Sequence, residues 1–492
     1  MKRRSFIKSL GLMGSSVLVP SMFGGQNIIS SAVASSVSQR SALNARAFLT
    51  DQVDFSLPTI MPQVINVFLY GGPSELGGNL TNMDDINKHS KHLYSTNLLP
   101  NGNEHTLNGF WNSAGGEVME RMVAKKRLSV YRTINRIDDN SRAHRASTFS
   151  NLTGMPGEDD SRPGIGTNIA AFLSANNVIT EESKFPLVSF DGTSFSFNQS
   201  SALPLAYKPL SLNRNLSNPY HLNQNTVFAG TEASLSALAD SLAKNNESRF
   251  SEVTSIFNER GKIDEFIGTL SDKLNNDALR LRNPDFVADS NVANERDEFI
   301  TYPNSNFGDR MESAVGLVID NPDAQFVSVG TDGLGDWDDH DSALLDNKYP
   351  RRMRFLMRTL EVASQHLEAA GKGNVVINVY GDFGRNVNLN DSRGWDHGNC
   401  QNLYTVGAAT GTAGSLPGRE LGKIVGETEL GVEISKSRLY TKPTESSYQC
   451  EPFAIAASVY KYFGVQNPEV LTGGYAAIDE TGTTNLWKDP NA

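Results

Sequence analysis

The sequence predicts an α/β fold, a mostly parallel sheet with helices on both faces and an inserted helical segment. Three observations predict it. Short apolar runs alternate with stretches of helical periodicity, which is the pattern of strand–helix–strand units. Two clusters of Asp and His follow directly on apolar runs, where open α/β sheets hold their ligands. A long polar stretch of helical spacing then interrupts the alternation between residues 213 and 283.

Taken in order, Val64–Tyr70, Leu128–Ile134, Pro186–Phe190, Phe326–Gly330, Val375–Tyr380 and Leu403–Val406 read as strands, each rich in β-branched or aromatic residues. Arg351–Ala370 reads as a helix, with Met353, Leu356, Met357, Leu360, Ala363 and Leu367 on one face and Gly371 as its stop. The 213–283 stretch carries Leu235, Leu238, Leu242, Phe257, Ile263, Phe266, Ile267 and Leu270, and reads as a helical insertion beside the ligand edge. Residues 35–62, rich in Ser and Ala, read as an extended leader before a domain spanning 63–492.

The first 34 residues fit a twin-arginine export signal. Arg3-Arg4-Ser5-Phe6 precedes a mildly apolar stretch from Ser9 to Phe23 and a small-x-small site at Ala32-Val33-Ala34. The apolar stretch contains Gly, Ser and Pro20 and falls short of the roughly 20 apolar residues of a spanning helix, so no stable membrane anchor is expected. A periplasmic or secreted location follows as an expectation.

The formal charge is −11, and removal of residues 1–34 leaves 40 bases against 55 acids. Such a balance argues against nucleic acid or anionic lipid as the main partner. With Cys400 and Cys450 the only cysteines, CxxC redox motifs, CxxCH haem attachment and Cys-ligated iron–sulfur clusters are excluded. In an oxidising compartment these two can form a disulfide or stay apart, a choice that depends on geometry.

The chemistry concentrates in two segments. After Val375–Tyr380, Gly381 frees the backbone and Asp382 stands at the strand end, followed by Arg385 and then Asp396-His397 after a polar loop. After Phe326–Gly330 comes Asp332-Gly333-Leu334-Gly335-Asp336-Trp337-Asp338-Asp339-His340-Asp341. Carboxylates mixed with neutral imidazoles suit zinc, manganese or another divalent ion such as calcium. Asp, Asn and Gly are equally suited to hydrogen-bonded turns, so the composition alone leaves both readings open.

These motifs carry a resemblance. DGLGDWDDHDS resembles a Gly-Trp-Asp-x-His signature, YGDFGR a Ser-Glu-Phe-Gly-Arg signature and GWDHGN a Gly-x-Asp-His signature of the exported "domain of unknown function 1501" proteins, which belong to the alkaline phosphatase-like superfamily. VINVFLYGGPSE and SRAHRASTFSNLTG resemble the opening strand and turn and the His-containing helix of that family, and the co-linear matches run from Val64 to Gly474. The resemblance implies an alkaline phosphatase-like fold and a divalent metal held by Asp336 or Asp338, His340, Asp382, Asp396 and His397. Glu75, the only carboxylate in the opening turn, where the superfamily usually has Asp, is a further candidate metal ligand or else part of a tight structural turn, and Phe383 stands where a His commonly follows the strand-end Asp. His144 stands where the superfamily carries its nucleophile, at the start of a helix that ends in Thr153-Gly154, and is a metal ligand, general acid or phosphoryl acceptor by type. Ser141, Ser147 and Thr148 are nearby hydroxyls, and Arg142, Arg145 and Arg385 are cations able to hold an anionic ester or a carboxylate.

Two function classes follow. One is a metal-dependent hydrolase of phosphate or sulfate esters. The other is a degenerate member of the same fold that binds or assembles another exported protein or a polysaccharide. A redox role is suggested only by the export signal.

Overall fold

A computed structural model describes residues 52–483 apart from 181, 205–206, 213–240, 242–264, 275 and 285–297. In chain order its strands are β1 (Gln63–Leu69), β2 (Leu128–Asn135), β3 (Leu187–Phe190), β4 (Leu210–Ser211), β5 (Phe326–Gly330), β6 (Val375–Gly381), β7 (Gly384–Arg385), β8 (His397–Gly398), β9 (Cys400–Val406), β10 (Ile424–Val425), β11 (Thr428–Glu433) and β12 (Arg438–Pro443). Its main helices are α1 (Gly116–Ala124), α2 (His144–Thr153), α3 (Ile165–Ala175), α4 (Asn306–Asp320), α5 (Lys348–Ala369) and α6 (Phe453–Tyr462).

Eight strands form one sheet in the order β10-β2-β9-β6-β1-β5-β3-β4. Every pairing is parallel except the two made by β9, which runs antiparallel to both β2 and β6. The predicted strands are all present in this sheet, and the sheet is mixed but mostly parallel. β7 with β8 and β11 with β12 form two separate antiparallel ribbons.

The strands are buried on both faces, as the crossover helices require. On β1, Ile65, Val67 and Leu69 join a core built with α1, α4 and α5, while Val64 and Phe68 turn to the opposite face, covered by α2, α3 and α6. This alternation is the period of a strand. Helix α5 matches the predicted one within three residues at its start and packs Met353, Leu356, Met357, Leu360, Ala363 and Leu367 into the first core.

Of the predicted insertion, residues 241, 265–274 and 276–283 are described, and 265–274 form a helix that buries Ile267, Leu270 and Leu274. Leu235, Leu238, Leu242, Phe257 and Ile263 lie outside the described residues, as do the segment read as an export signal and most of the segment read as a leader. Beyond residue 52 the leader runs extended beside the turn after α6, with Ser56 N donating to Gly464 O and Gln466 N to Asp54 O, both at 2.8 Å. Among the described residues no helix is long and apolar enough to cross a membrane.

A Cys400–Cys450 disulfide does not fit this sheet. Cys400 lies on β9 opposite Asn135, while Cys450 bridges Ile134 and accepts from Asn135 N at 2.8 Å on the other side of β2. Two strand spacings therefore separate their Cα atoms by roughly 9–10 Å, beyond the ~7 Å limit for a disulfide. Both thiols are free and buried.

Candidate metal centre

Three loops at the carboxyl edge of the sheet meet over β1, β5 and β6. The loop after β5 alternates like a strand. Trp337 and Asp339 turn inward: Trp337 Nε1 donates to Thr331 Oγ1 at 3.2 Å, its backbone N donates to Tyr70 O at 3.1 Å, and Asp339 is ion-paired with Arg352 and with Lys348 at 3.2 Å. Asp338 and His340 therefore face the opposite way, toward the site. Asp336 instead accepts from Asp338 N at 3.0 Å and shapes the loop. The close approach of this loop explains Gly71, whose φ is +107° and where a Cβ would lie 2.4 Å from Asp336 Oδ1 and Asp338 N.

The turn after β6 carries Asp382, which is buried and accepts from Gly71 N at 3.2 Å and from His144 Nδ1 at 2.8 Å. His144 opens α2, and Arg136, at the end of β2, locks that helix to the turn. Its guanidinium donates to Asn151 Oδ1 at 2.7 Å, Ser150 Oγ at 3.1 Å and Asp382 O at 3.2 Å, and it pairs with Asp139 at 2.9 Å. The third loop folds back as the β7–β8 ribbon, which sets Arg385 directly opposite His397.

These loops bring His144, Asp338, His340 and His397 together, with one ligand atom from each lying within 4.8 Å of the others. His144 Nε2 is 3.4 Å from Asp338 Oδ1, His340 Nε2 is 3.2 Å and His397 Nε2 is 3.8 Å from the same oxygen. His340 Nε2 and His397 Nε2 are 2.8 Å apart. Ligands at about 2.0–2.2 Å from a tetrahedral zinc stand about 3.4 Å from one another, so this spacing matches a common coordination centre.

The far ring nitrogens are tied down. His397 Nδ1 meets Arg142 O at 2.7 Å, and a carbonyl only accepts, so the proton is on Nδ1 and Nε2 keeps its lone pair. Asp382 orients His144 in the same way, and His144 Nε2 is buried without a hydrogen-bond partner. His340 Nδ1 lies 3.4 Å from Asp396 Oδ1. Such tethering of the second nitrogen is the usual support of a metal-binding imidazole. The cluster can coordinate a divalent ion.

The electrostatics are mixed. Burial, Arg385 and the two neighbouring imidazoles push His397 down to about 4, which keeps it neutral. The bond from Asp382 raises His144 against the opposing effect of burial. Burial raises Asp382, and its bond to His144 pulls the other way. Burial also pushes Asp338 up, but Arg385, His144 and His340 together more than offset this and hold it below the usual carboxylate value. Arg385 is buried, donates from Nη2 to Asp338 Oδ1 at 2.6 Å, and reaches Gly72 O at 2.6 Å and Trp395 O at 3.0 Å.

The remaining residues singled out in the sequence stand apart from the four-residue cluster. Glu75 is fully buried, meets Arg385 N at 3.3 Å and is pushed up to about 7 by burial. Asp396 has its carboxylate 58% exposed. Arg145 points to solvent and pairs with Asp160 at 3.3 Å and Glu158 at 3.8 Å. Ser147 donates to Ser141 O at 2.9 Å, so its hydroxyl serves the helix start. Phe383 fills the place of the missing His and packs its ring 4.4 Å from His397 and 4.9 Å from His144. Sequence reasoning missed Arg136 and the carbonyl of Arg142; the available signal for Arg136 was an arginine placed at the carboxyl end of an apolar strand.

No curated protein matches this chain. Among solved structures it is similar to Ps i-CgsB in complex with k-i-k-neocarrahexaose, at 10% identity over 84% of this chain and 74% of the other with a TM-score of 0.33. It is also similar to a phosphonate monoester hydrolase from Silicibacter pomeroyi, at 12% identity over 86% and 78% with a TM-score of 0.31, and to alkaline phosphatase from the Antarctic bacterium TAB5, at 13% identity over 82% and 98% with a TM-score of 0.29. At these scores the likenesses add no argument to the geometry. The family model described as "Protein of unknown function (DUF1501)" matches residues 61–426, which hold every member of the cluster, and the chain belongs to that family.

Proposed function

We propose that this protein is an exported metal-dependent hydrolase of phosphate or sulfate esters. The observation that carries the reading is the convergence of three imidazole Nε2 atoms on Asp338 Oδ1, with the Nδ1 atoms of His144 and His397 bonded to acceptors that leave Nε2 as a lone pair. His144, Asp338, His340 and His397 hold the ion, while Asp382 and Arg142 O orient two of the rings. A donor set of three nitrogens and one carboxylate oxygen suits zinc better than calcium, which takes six to eight oxygens. When bound, the ion supplies Lewis acidity toward an ester oxygen and toward water. The Ser147 hydroxyl is committed to Ser141 O, and the reading takes water as the acceptor. Arg385 holds Asp338 and places positive charge beside any anion that enters.

One observation favours the second reading, a member of the family that binds without catalysis: the Arg385 guanidinium already occupies Asp338 Oδ1, at 2.6 Å. A metal must share that oxygen with a cation. The test is elemental analysis of protein purified from the periplasm without chelator, followed by assay of aryl phosphates, phosphodiesters and aryl sulfates with added zinc, manganese and calcium. One bound ion, with ion and turnover falling together in His144→Ala, supports the hydrolase. Metal-free protein without turnover favours the binding reading. Replacement of Arg3 and Arg4 by Lys tests the compartment separately, because the twin-arginine reading expects uncleaved precursor in the cytoplasm.

A further inference from the structure

We infer that Arg142 and Arg438 form a second anion subsite beside His397, so that the preferred ligand carries a second tetrahedral oxyanion, sulfate or phosphate, in addition to the group that faces the cluster. This rests on the hydrolase reading for the first group only.

The two arginines come from distant parts of the chain and meet at the β7–β8 ribbon. Arg142, two residues before α2, reaches His397 O with Nη1 at 3.3 Å. Arg438, at the start of β12, donates from Nε to Asn386 Oδ1 at 2.9 Å, and its guanidinium lies 5.1 Å from the Tyr440 ring. Asn386 follows Arg385, the residue paired with His397, so both cations lie against one short ribbon.

The local charge is opposite to that of the chain. Among the described residues Arg438 has only Glu433 within ion-pair distance, at 3.9 Å, and Glu433 is already paired with Lys436 at 2.8 Å. Among the described residues no carboxylate is in ion-pair contact with Arg142, and Glu433 is the acid that attracts it. Three cations thus face one carboxylate on a protein of net charge −11. Neither fork is used up. Arg142 keeps Nε and Nη2 for a ligand, and Arg438 keeps Nη2. Guanidinium forks match the paired oxygens of sulfate and phosphate.

A structural role alone explains the Nη1 bond of Arg142 and the Nε bond of Arg438. It does not explain why two like charges are placed against one short ribbon, since separation would relieve their repulsion.

The experiment is calorimetric binding of inositol hexakisphosphate and of dextran sulfate to the full chain stripped with chelator, comparing wild type with Arg142→Gln, Arg438→Gln and the remote surface variant Arg282→Gln. Stripping the protein makes the result independent of any metal. Each of Arg142→Gln and Arg438→Gln is expected to weaken binding about tenfold, the size of one charge-assisted bond, with Arg282→Gln unchanged. A loss confined to one probe identifies the oxyanion the subsite takes. Equal loss in Arg282→Gln, or wild-type binding in both other variants, overturns the subsite and leaves diffuse electrostatics. A retained thermal transition in each variant excludes misfolding as the cause. If the subsite binds while elemental analysis finds no ion, the hydrolase reading falls and the subsite stands; an ion with turnover but no arginine effect gives the reverse.

Discussion

At the ends of β5 and β6, three imidazoles turn their Nε2 atoms toward one carboxylate oxygen, and their neighbours hold the other ring nitrogen. At the ends of β1 and β3, on the same sheet edge, an equally polar group is arranged differently. There Tyr70 donates to Asp191, and Arg310 reaches Gly330 O at 3.2 Å and Asp332 Oδ2 at 3.3 Å. The acid of this second group already holds a donor, and the atom left over, Arg310 Nε, is a donor that no metal can use. Density of charge is therefore a poor marker of a metal centre. The marker is a set of lone pairs aimed at one point while each ring is fixed from behind.

The largest effect expected from this contrast is in His397→Ala and His340→Ala, which should lose bound metal altogether and lower thermal stability, since an ion bound only to the folded state stabilises it by mass action. Asp191→Asn should keep its metal. Elemental analysis of the three variants decides, and metal lost in Asp191→Asn would break the distinction between the two groups.

Next in size is Arg136→Ala. Removal of this buried cation leaves Asp139 and Glu451 without their charge partner and frees α2 from the Asp382 turn. A cost of about 3–5 kcal/mol is expected in urea unfolding, as for other buried pairs broken from one side. A cost below about 1 kcal/mol would show that the helix start is held by packing alone.

Asp382→Asn sharpens the comparison further. The amide cannot hold His144 as a carboxylate does, and metal affinity should fall about 10–100-fold, the usual effect of removing a group that orients a ligand. Competition with a chromogenic chelator measures this. An unchanged affinity would place His144 outside the coordination sphere.

The smallest effect belongs to the closed group. Burial pushes the Asp191 carboxyl up to about 6, above its ordinary value near 3.9. The folded state therefore binds a proton that the unfolded state has released, and the wild type loses that stabilisation as pH rises from about 4 through 6. Asp191→Asn should be more stable than wild type by about 1–2 kcal/mol at pH 8, with the advantage gone below pH 4. Urea unfolding at both ends of that range tests the sign, and a difference independent of pH would refute it.

Much of the fold was legible because strands buried on both faces appear as apolar runs with little to confuse them, and Phe326–Gly330 and Val375–Tyr380 kept almost the same boundaries in the structure. The direction of β9 was not legible. Residues 403–406 read as a strand whichever way they run, and only the short return from the β7–β8 ribbon forces the reversal. The site was readable in residue type and place, since Asp338, His340 and His397 follow strands and share metal-ligand chemistry. The choice between Asp336 and Asp338 needed Trp337 and Asp339, which face inward and set the alternation. His144 and Asp382 were both visible, but their pairing spans 238 residues, and no local pattern encodes a contact of that range.

That range has a consequence for how the chain reaches its native state. Because β9 returns beside β6, the segment between them is a wide hairpin, and Asp382 and His397 are brought together by closing a loop of about 15 residues. His144 must be recruited across the 238 residues that separate it from Asp382. Each doubling of a loop adds about 0.6 kcal/mol of closure entropy, so four doublings set the two halves of the centre apart by roughly 2.5 kcal/mol before any contact compensates. The hairpin half, with Arg385 and His397, is therefore the part expected to form with the sheet, and α2 docks onto it afterwards. During synthesis the order of emergence is reversed: His144 leaves the ribosome first and has no Asp382 to meet until more than 200 further residues have followed.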